Sequence, residues 1–206
     1  MARTKSSAGW ISRHLNDPFV KQAQKDGYRA RSAYKLIELN EKDRLIRPGM
    51  KIMDLGSAPG GWSQVAGKLV GSKGRVLATD ILPMDGLLNV DFIQGDFTDD
   101  ALVQQVLGWL AGAKFDLIMS DIAPNVSGID SADQARSIYF LELALDTVCK
   151  TLKTHASFAA KMFQGSGSDQ YIKELRNHFA KVVIRKPAAS RKESREVYVV
   201  AKDFKG

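Results

Sequence analysis

Lys51-Ile52-Met53-Asp54-Leu55-Gly56-Ser57-Ala58-Pro59-Gly60-Gly61-Trp62 reads as a buried strand that runs into a glycine-rich turn and then a helix. Ile52, Met53 and Leu55 form a short apolar run, Pro59 and the glycines end it, and the spacing of Trp62, Val65, Leu69 and Val70 is helical. Such a turn suits a ligand. Glycine removes the Cβ that would hold a ligand off the backbone, and in open α/β sheets ligands sit beyond the carboxyl ends of the strands. The spacing bears on which ligand it is. A dinucleotide site asks for G-x-G-x-x-G, whereas here Gly56 is followed by Ala58 and then by Gly60 and Gly61. The missing middle glycine is the one that admits a pyrophosphate, so a ligand without phosphates is favoured.

Outward from this turn, strand and helix patterns alternate, which predicts a Rossmann-like α/β fold with a mostly parallel sheet. Seven strands are expected, at residues 51–56, 75–80, 90–94, 115–121, 157–163, 182–186 and 197–201, with helices at 61–70, 99–110, 132–152 and 169–179. No helical pattern separates the last two strands, which predicts an antiparallel pair at one edge of the sheet. Before the core, Pro18 opens a helix that Gly27 stops, Ser32 is placed to cap a second one, and Pro48-Gly49 ends the prelude. Residues 1 to about 16 read as a basic arm with Trp10 and Ile11 as its large apolar residues. The expected organisation is one domain over 1–206, with the arm and two helices in 1–49 and the Rossmann-like core in 50–206.

Composition agrees with one core: 206 residues with 44% hydrophobic content. The single Cys149 excludes an internal disulfide framework, and His14, His155 and His178 are too scattered for metal-ligand spacing, so no metal is expected. No run approaches the roughly 18 apolar residues of a membrane span, and a cytoplasmic protein without a membrane partner is the default expectation. The net charge of +7 is unevenly spread. Residues 1–49 carry 11 Lys+Arg against 5 Asp+Glu, residues 50–149 carry 6 against 13, and residues 150–206 carry 13 against 5. Basic ends suit a phosphate backbone, and an acidic middle suits a cationic ligand.

Three strand ends each deliver a carboxylate. Asp80 lies 24 residues after Gly56, where an acid accepts hydrogen bonds from ribose hydroxyls. Asp96 ends the third strand in Gln94-Gly95-Asp96-Phe97, and Asp121 ends the fourth in Met119-Ser120-Asp121-Ile122-Ala123-Pro124-Asn125. An acid at Asp121 either holds an amino group of the ligand or places a nucleophile. Lys161, in Ala160-Lys161-Met162-Phe163-Gln164-Gly165, sits inside an apolar strand where an unpaired ammonium is costly, so it needs a partner. Glu196 stands at the start of the last strand, in Ser194-Arg195-Glu196-Val197-Tyr198.

Asp-Leu-Gly-x-Ala-Pro-Gly-Gly-Trp at 54–62 resembles the cofactor loop of the FtsJ/RrmJ-type ribose 2′-O-methyltransferases, which bind S-adenosylmethionine. The likeness runs from about Trp10 to Ala201 and includes Ser-Asp-x-Ala-Pro-Asn, Lys-x-Phe-Gln-Gly and Ser-Arg-Glu-Val-Tyr. Ser57 departs from the alanine common at that position. The resemblance implies that Lys35, Asp121, Lys161 and Glu196 form the family's Lys-Asp-Lys-Glu catalytic tetrad. It places S-adenosylmethionine against Gly56, Gly60, Trp62, Asp80, Asp96 and Asp121, with Asp96 on the adenine. It further implies a uridine of large-subunit (23S) ribosomal RNA as the target, within the ribosomal subunit. The expected state is a monomer with no obligate protein partner. For Lys161 two roles stand open, a general base or a charged hydrogen-bond donor. Burial and the Lys35 cation disfavour its charged form, and the two carboxylates favour it.

The RNA is expected on Arg29, Arg31 and Lys35 and on the basic segment of Arg185, Lys186, Arg191, Lys192 and Arg195. With no separate RNA-binding module in the chain, recognition of a folded RNA by its shape is expected. Another structured RNA is the alternative substrate. Two rival classes remain: an NAD-linked reductase, which lacks its middle glycine and a Tyr-x-x-x-Lys pair, and a non-catalytic ribosome-assembly factor, which leaves the four tetrad residues unexplained.

Overall fold

The structure is a computed structural model that describes residues 17–123 and 127–206. The expected basic arm, with Trp10, Ile11 and His14, and Pro124 and Asn125 of the fourth strand-end motif lie outside the described residues.

The chain opens with α1 (Pro18–Lys25) and α2 (Ala33–Asp43). It then alternates through β1 (Lys51–Leu55), α3 (Gly61–Val70), β2 (Arg75–Asp80), β3 (Val90–Gln94), α4 (Asp100–Leu110), β4 (Phe115–Ser120), α5 (Asp130–Thr151), β5 (Leu152–Phe163), α6 (Ser168–His178), β6 (Phe179–Arg185) and β7 (Glu196–Phe204). Asp17 caps α1 by accepting the Phe19 N–H, and Pro18 occupies the first turn, where no N–H is needed. Ser32 stands at the start of α2, yet its hydroxyl makes no capping bond. Its carbonyl instead accepts the Trp62 indole N–H at 2.9 Å, which ties α2 to α3.

All seven expected strands join one sheet in the order β3-β2-β1-β4-β5-β7-β6. The first five in that order are parallel, and β7 runs antiparallel to both β5 and β6. The antiparallel pair lies at the edge as expected, with β7 inserted between β5 and β6. Element ends moved where periodicity is weak. β5 starts at Leu152 rather than 157, because Lys153, Thr154 and His155 are exposed and give no alternation to read. β6 follows α6 with no turn residue between His178 and Phe179.

Alternation along the strands splits the core in two. Met53, Leu55, Leu77, Ile118, Phe158, Ala160 and Val199 face one way, where residues of α4, α5 and α6 join them. Ile52, Val76, Leu117, Met119, Ala159, Tyr198 and Val200 face the other, under Leu36 and Leu39 of α2 and Trp62, Val65 and Ala66 of α3. Asp54, Lys161 and Glu196 share strand parity with the second set. At the far end of α2, buried Asp43 accepts two hydrogen bonds from Arg185, at 2.8 and 2.9 Å, so the helix carrying Lys35 is clamped to the antiparallel edge. Strand order reverses between β1 and β4, and a ligand crevice belongs beyond the carboxyl ends at such a point.

Candidate active site

Gly56 leaves β1 and Asp121 leaves β4, so neighbouring strand ends bring the two onto one rim. A hollow of about 510 Å³ opens there. Gly56, Ala58, Asp80, Asp96 and Asp121 line it, with Ile81, Leu82, Phe97, Ile122 and Phe140 as its apolar wall. Phe97 and Phe140 pack with ring centroids 5.7 Å apart. Volume and lining fit a small-molecule site, and three carboxylates fit a cation.

Four of the six residues expected at the cofactor therefore meet in this hollow, and the other two, Gly60 and Trp62, lie outside its lining, in the turn and the first helical turn that follow β1. Gly60 has φ 105°, and a Cβ on it would lie 2.9 Å from Arg29 Nη1 and from Met84 Sδ, so that space is filled by the protein itself. Trp62 is 2% exposed and tilts against the Tyr198 ring at 5.6 Å, so its side chain belongs to the core. What Trp62 can offer a ligand is a backbone N–H in the first turn of α3. Gly56 has φ 68°, and a Cβ there would come within 2.0 Å of Ile122 Cγ1, so only glycine fits where β1 and β4 converge. Asp80 accepts the Ala58 N–H at 2.9 Å and the Leu82 N–H at 2.8 Å, shaping the rim with the same carboxylate that faces the hollow. Asp96 accepts the Thr98 N–H at 2.9 Å through Oδ1.

The four expected catalytic residues come together on the face beneath α2. Lys161 is 8% exposed, and its Nζ lies 3.1 Å from Asp121 Oδ1 and donates to the Asp121 carbonyl at 2.6 Å. Lys35, also 8% exposed, lies 2.7 Å from Glu196 Oε1 and 3.9 Å from Asp121 Oδ1. Two cations thus balance two anions in a nearly dry cluster, as buried charges require. Burial pushes the Glu196 carboxyl up, but Lys35, Lys161 and the Ser190 hydroxyl outweigh it and hold the group below the ordinary glutamate range. Its stabilising share is full at neutral pH and is lost as pH falls through that lowered value.

Three further residues belong to this site. Tyr198, paired in register with Lys161, donates its phenol to Asp121 Oδ1 at 2.5 Å. Burial first, then Asp121 and Glu196, push that phenol well above its usual range and keep it a donor. Ser190, buried, donates to Glu196 Oε1 at 2.7 Å. Asp54 is buried beneath the glycine turn and accepts the Ser63 hydroxyl at 2.6 Å. A tyrosine inside a buried run needs a partner for its hydroxyl, and an aspartate inside one needs a reason to be there; those were the available signals. Ser190 sits in an irregular loop and gave none.

The basic residues divide. Arg29 donates to the carbonyls of Asp85 and Gly86, at 2.8 and 2.9 Å, and holds the loop after β2. Arg31 bridges Asp17 and the Ala189 carbonyl, and Arg185 is taken by Asp43. These three arginines, expected on phosphates, are instead structural ties. Lys186, Lys192 and Arg195 remain exposed and Arg191 half-buried, on the segment that also carries Ser190, although Lys186 donates to the Ser194 carbonyl and Arg195 makes an exposed ion pair with Asp130 at 3.5 Å. Among the described residues no group of three or more His, Cys, Asp or Glu is arranged for a metal, and no helix is long and apolar enough to cross a membrane.

The chain is 68% identical to the ribosomal RNA large subunit methyltransferase E of Stutzerimonas stutzeri over 206 residues, all of both chains. It is 61% identical to the protein of the same name from Marinobacter nauticus, over all of this chain and 99% of that one. A crystal structure of a ribosomal RNA methyltransferase from Plasmodium falciparum superposes with a TM-score of 0.78 at 30% identity, over 87% of this chain and 100% of that one. The model of the FtsJ-like methyltransferases matches residues 28–204, and the chain belongs to that family.

Proposed function

We propose that the protein methylates large-subunit ribosomal RNA, and that it does so on the ribose 2′-hydroxyl of a uridine with S-adenosylmethionine as methyl donor. The observation that carries the reading is Asp121, which lines the hollow and is at the same time the partner of Lys161. One carboxylate therefore connects the ligand site to the catalytic cluster. The family membership sets aside the NAD-linked reductase.

The hollow fits the donor. Its aromatic and aliphatic wall suits an adenine, Asp80 retains acceptor capacity for ribose hydroxyls, and Asp121 suits an amino group. S-adenosylmethionine held there supplies an electrophilic methyl on a cationic sulfur. The chain's own residues orient the nucleophile. An ammonium has three N–H donors; Lys161 gives one to the Asp121 carbonyl and is ion-paired with the Asp121 carboxylate. A further N–H can hold the attacking 2′-oxygen. Lys35, Glu196 and Ser190 fix the other side of the cluster, so the nucleophile meets a preorganised set of charges.

Incubation with tritiated S-adenosylmethionine and large ribosomal subunits, followed by mass-spectrometric mapping of ribose methylation, tests the reading. The expected product is one methylated ribose on a uridine of the large-subunit RNA. Base methylation, or label on another RNA class, would replace the substrate assignment. RNA binding without transfer would return the assembly-factor reading.

The phosphate contacts are now expected on Arg191, Lys192 and Arg195. Replacing Lys192 and Arg191 by Gln should lower the log–log salt slope of RNA binding by about 0.7 to 0.9 per lost contact. Arg31→Gln should leave that slope nearly unchanged, because its guanidinium is occupied within the fold. An equal drop for Arg31→Gln would place it back on the RNA.

A further inference from the structure

Behind one wall of the hollow lies a second, much smaller space, between β4, β5 and α5. Its volume is about 10 Å³, near the lower limit for holding one water molecule. Ile122 and Phe140 line both spaces and so stand between this cavity and the donor. Lys161, Ser120 and Ser137 make up its polar wall. Ser137 comes from the second turn of α5 and is 4% exposed, and among the described residues its hydroxyl has no hydrogen-bond partner. Ser120, equally buried at the end of β4, accepts the Ile122 N–H at 3.3 Å, which leaves its own O–H to donate. Buried hydroxyls are costly without partners, and neither of these is bonded to Lys161, whose ammonium donates to the Asp121 carbonyl.

We infer that Ser137 is a positioning residue that acts on Lys161 through one buried water, which it shares with Ser120. The inference rests on the proposed reaction at a ribose hydroxyl. A buried water takes two to four polar partners, and the wall supplies three. The water accepts an N–H from Lys161 and the O–H from Ser120, and it donates to the Ser137 oxygen. The consequence is for the direction of the lysine. An ammonium tethered through one N–H still turns about its Cε–Nζ bond. Lys161 has one such tether, to the Asp121 carbonyl at 2.6 Å, while the Asp121 carboxylate at 3.1 Å attracts its charge. A second N–H given to the water stops the rotation, and the third then has a single direction left, toward the 2′-oxygen. Ile122 and Phe140 shield the water from the donor hollow, so donor binding does not displace it.

Two substitutions separate this role from packing. Ser137→Ala removes the hydroxyl and suits a helix, whereas Ser137→Val fills the space with methyl groups and excludes the water. In both, single-turnover methylation at saturating donor and RNA should fall about tenfold, the rate equivalent of one hydrogen bond to a charged group. Donor affinity and the KM for ribosomal subunits should stay near wild type. If Ser137 served packing alone, the valine variant would keep the wild-type rate. Introduced beside Lys161→Ala, Ser137→Ala should cost nothing further, because the residue it positions is gone. A high-resolution crystal structure of the wild-type protein should show a water within hydrogen-bond distance of both Ser137 Oγ and Lys161 Nζ. Thermal melts identify a misfolded variant, and the alanine variant and the crystal structure decide the matter without valine. A wild-type rate in Ser137→Ala, a further tenfold loss in the Lys161→Ala background, or no water between the two side chains would overturn the inference. Failure of the wild type to methylate a ribose would instead overturn the proposed reaction.

Discussion

Lys161→Ala should retain the fold and S-adenosylmethionine affinity while single-turnover methylation falls by about a hundred- to ten-thousandfold, the range for loss of a positioned proton-transfer group. The separation follows from the geometry. Lys161 is absent from the lining of the large hollow, and its Nζ points instead at Asp121, on the catalytic side of that carboxylate. Removing the ammonium leaves Lys35 as the cation nearest Asp121, at 3.9 Å, and Tyr198 still donates to Oδ1, so the acid is not stranded. Lys161→Arg divides the two roles that the residue can play. Arginine keeps the charge but does not release a proton near neutrality, so near-dead activity favours a base and substantial activity favours electrostatic steering. Because the planar guanidinium must fit a pocket shaped for an ammonium, the pH–rate profile of the wild type should be read beside it. Transfer by Lys161→Ala at close to the wild-type single-turnover rate would remove Lys161 from the reaction and make Lys35 the next residue to test.

The parts of this site that were legible in the sequence are those where a local rule was broken. A lysine in the apolar run 158–163 had to have an anion, and Asp121 and Glu196 were the acids at the ends of neighbouring strands. The glycine turn after β1 announced the rim because four residues within 56–61 were Gly or Pro. The sheet followed from alternation, and its antiparallel edge from the lack of a helix between β6 and β7. What stayed hidden depends on contacts between residues distant in sequence. A basic residue does not declare whether its charge will meet a phosphate or a carboxylate of the same chain. Arg185 meets Asp43, 142 positions away, and Arg31 meets a carbonyl 158 positions away. Trp62 was likewise carried by a motif match, which does not distinguish a side chain from the backbone N–H beside it. Ser190 needed the loop after β6 to fold back over Glu196, and no periodicity predicts that.

Asp121→Asn should be the most damaging change, because this acid serves both halves of the site. With Asp121 charged, Lys35 and Lys161 are balanced by Asp121 and Glu196, and the cluster is neutral. Asparagine is nearly isosteric and still offers an acceptor to the Tyr198 phenol, but it leaves two ammonium groups facing one carboxylate in a largely buried place. Breaking one partner of a buried ion pair costs on the order of 3–5 kcal/mol, which corresponds to roughly two to four powers of ten. That loss should be divided between two readouts. Donor affinity should fall, since a negative charge is removed from the lining of the hollow, and the transfer rate at saturating donor should fall as well, since Lys161 keeps the Asp121 carbonyl but loses the carboxylate charge it is paired with. Glu196→Gln separates the effects: it also leaves the cluster one negative charge short, but Glu196 does not line the large hollow, so transfer should fall while donor affinity stays near wild type. Thermal melts of both variants at pH 7 control for loss of fold. If Asp121→Asn lost transfer and kept full donor affinity, its carboxylate would belong to the catalytic cluster alone, and the link between hollow and cluster would have to run through the backbone at the end of β4.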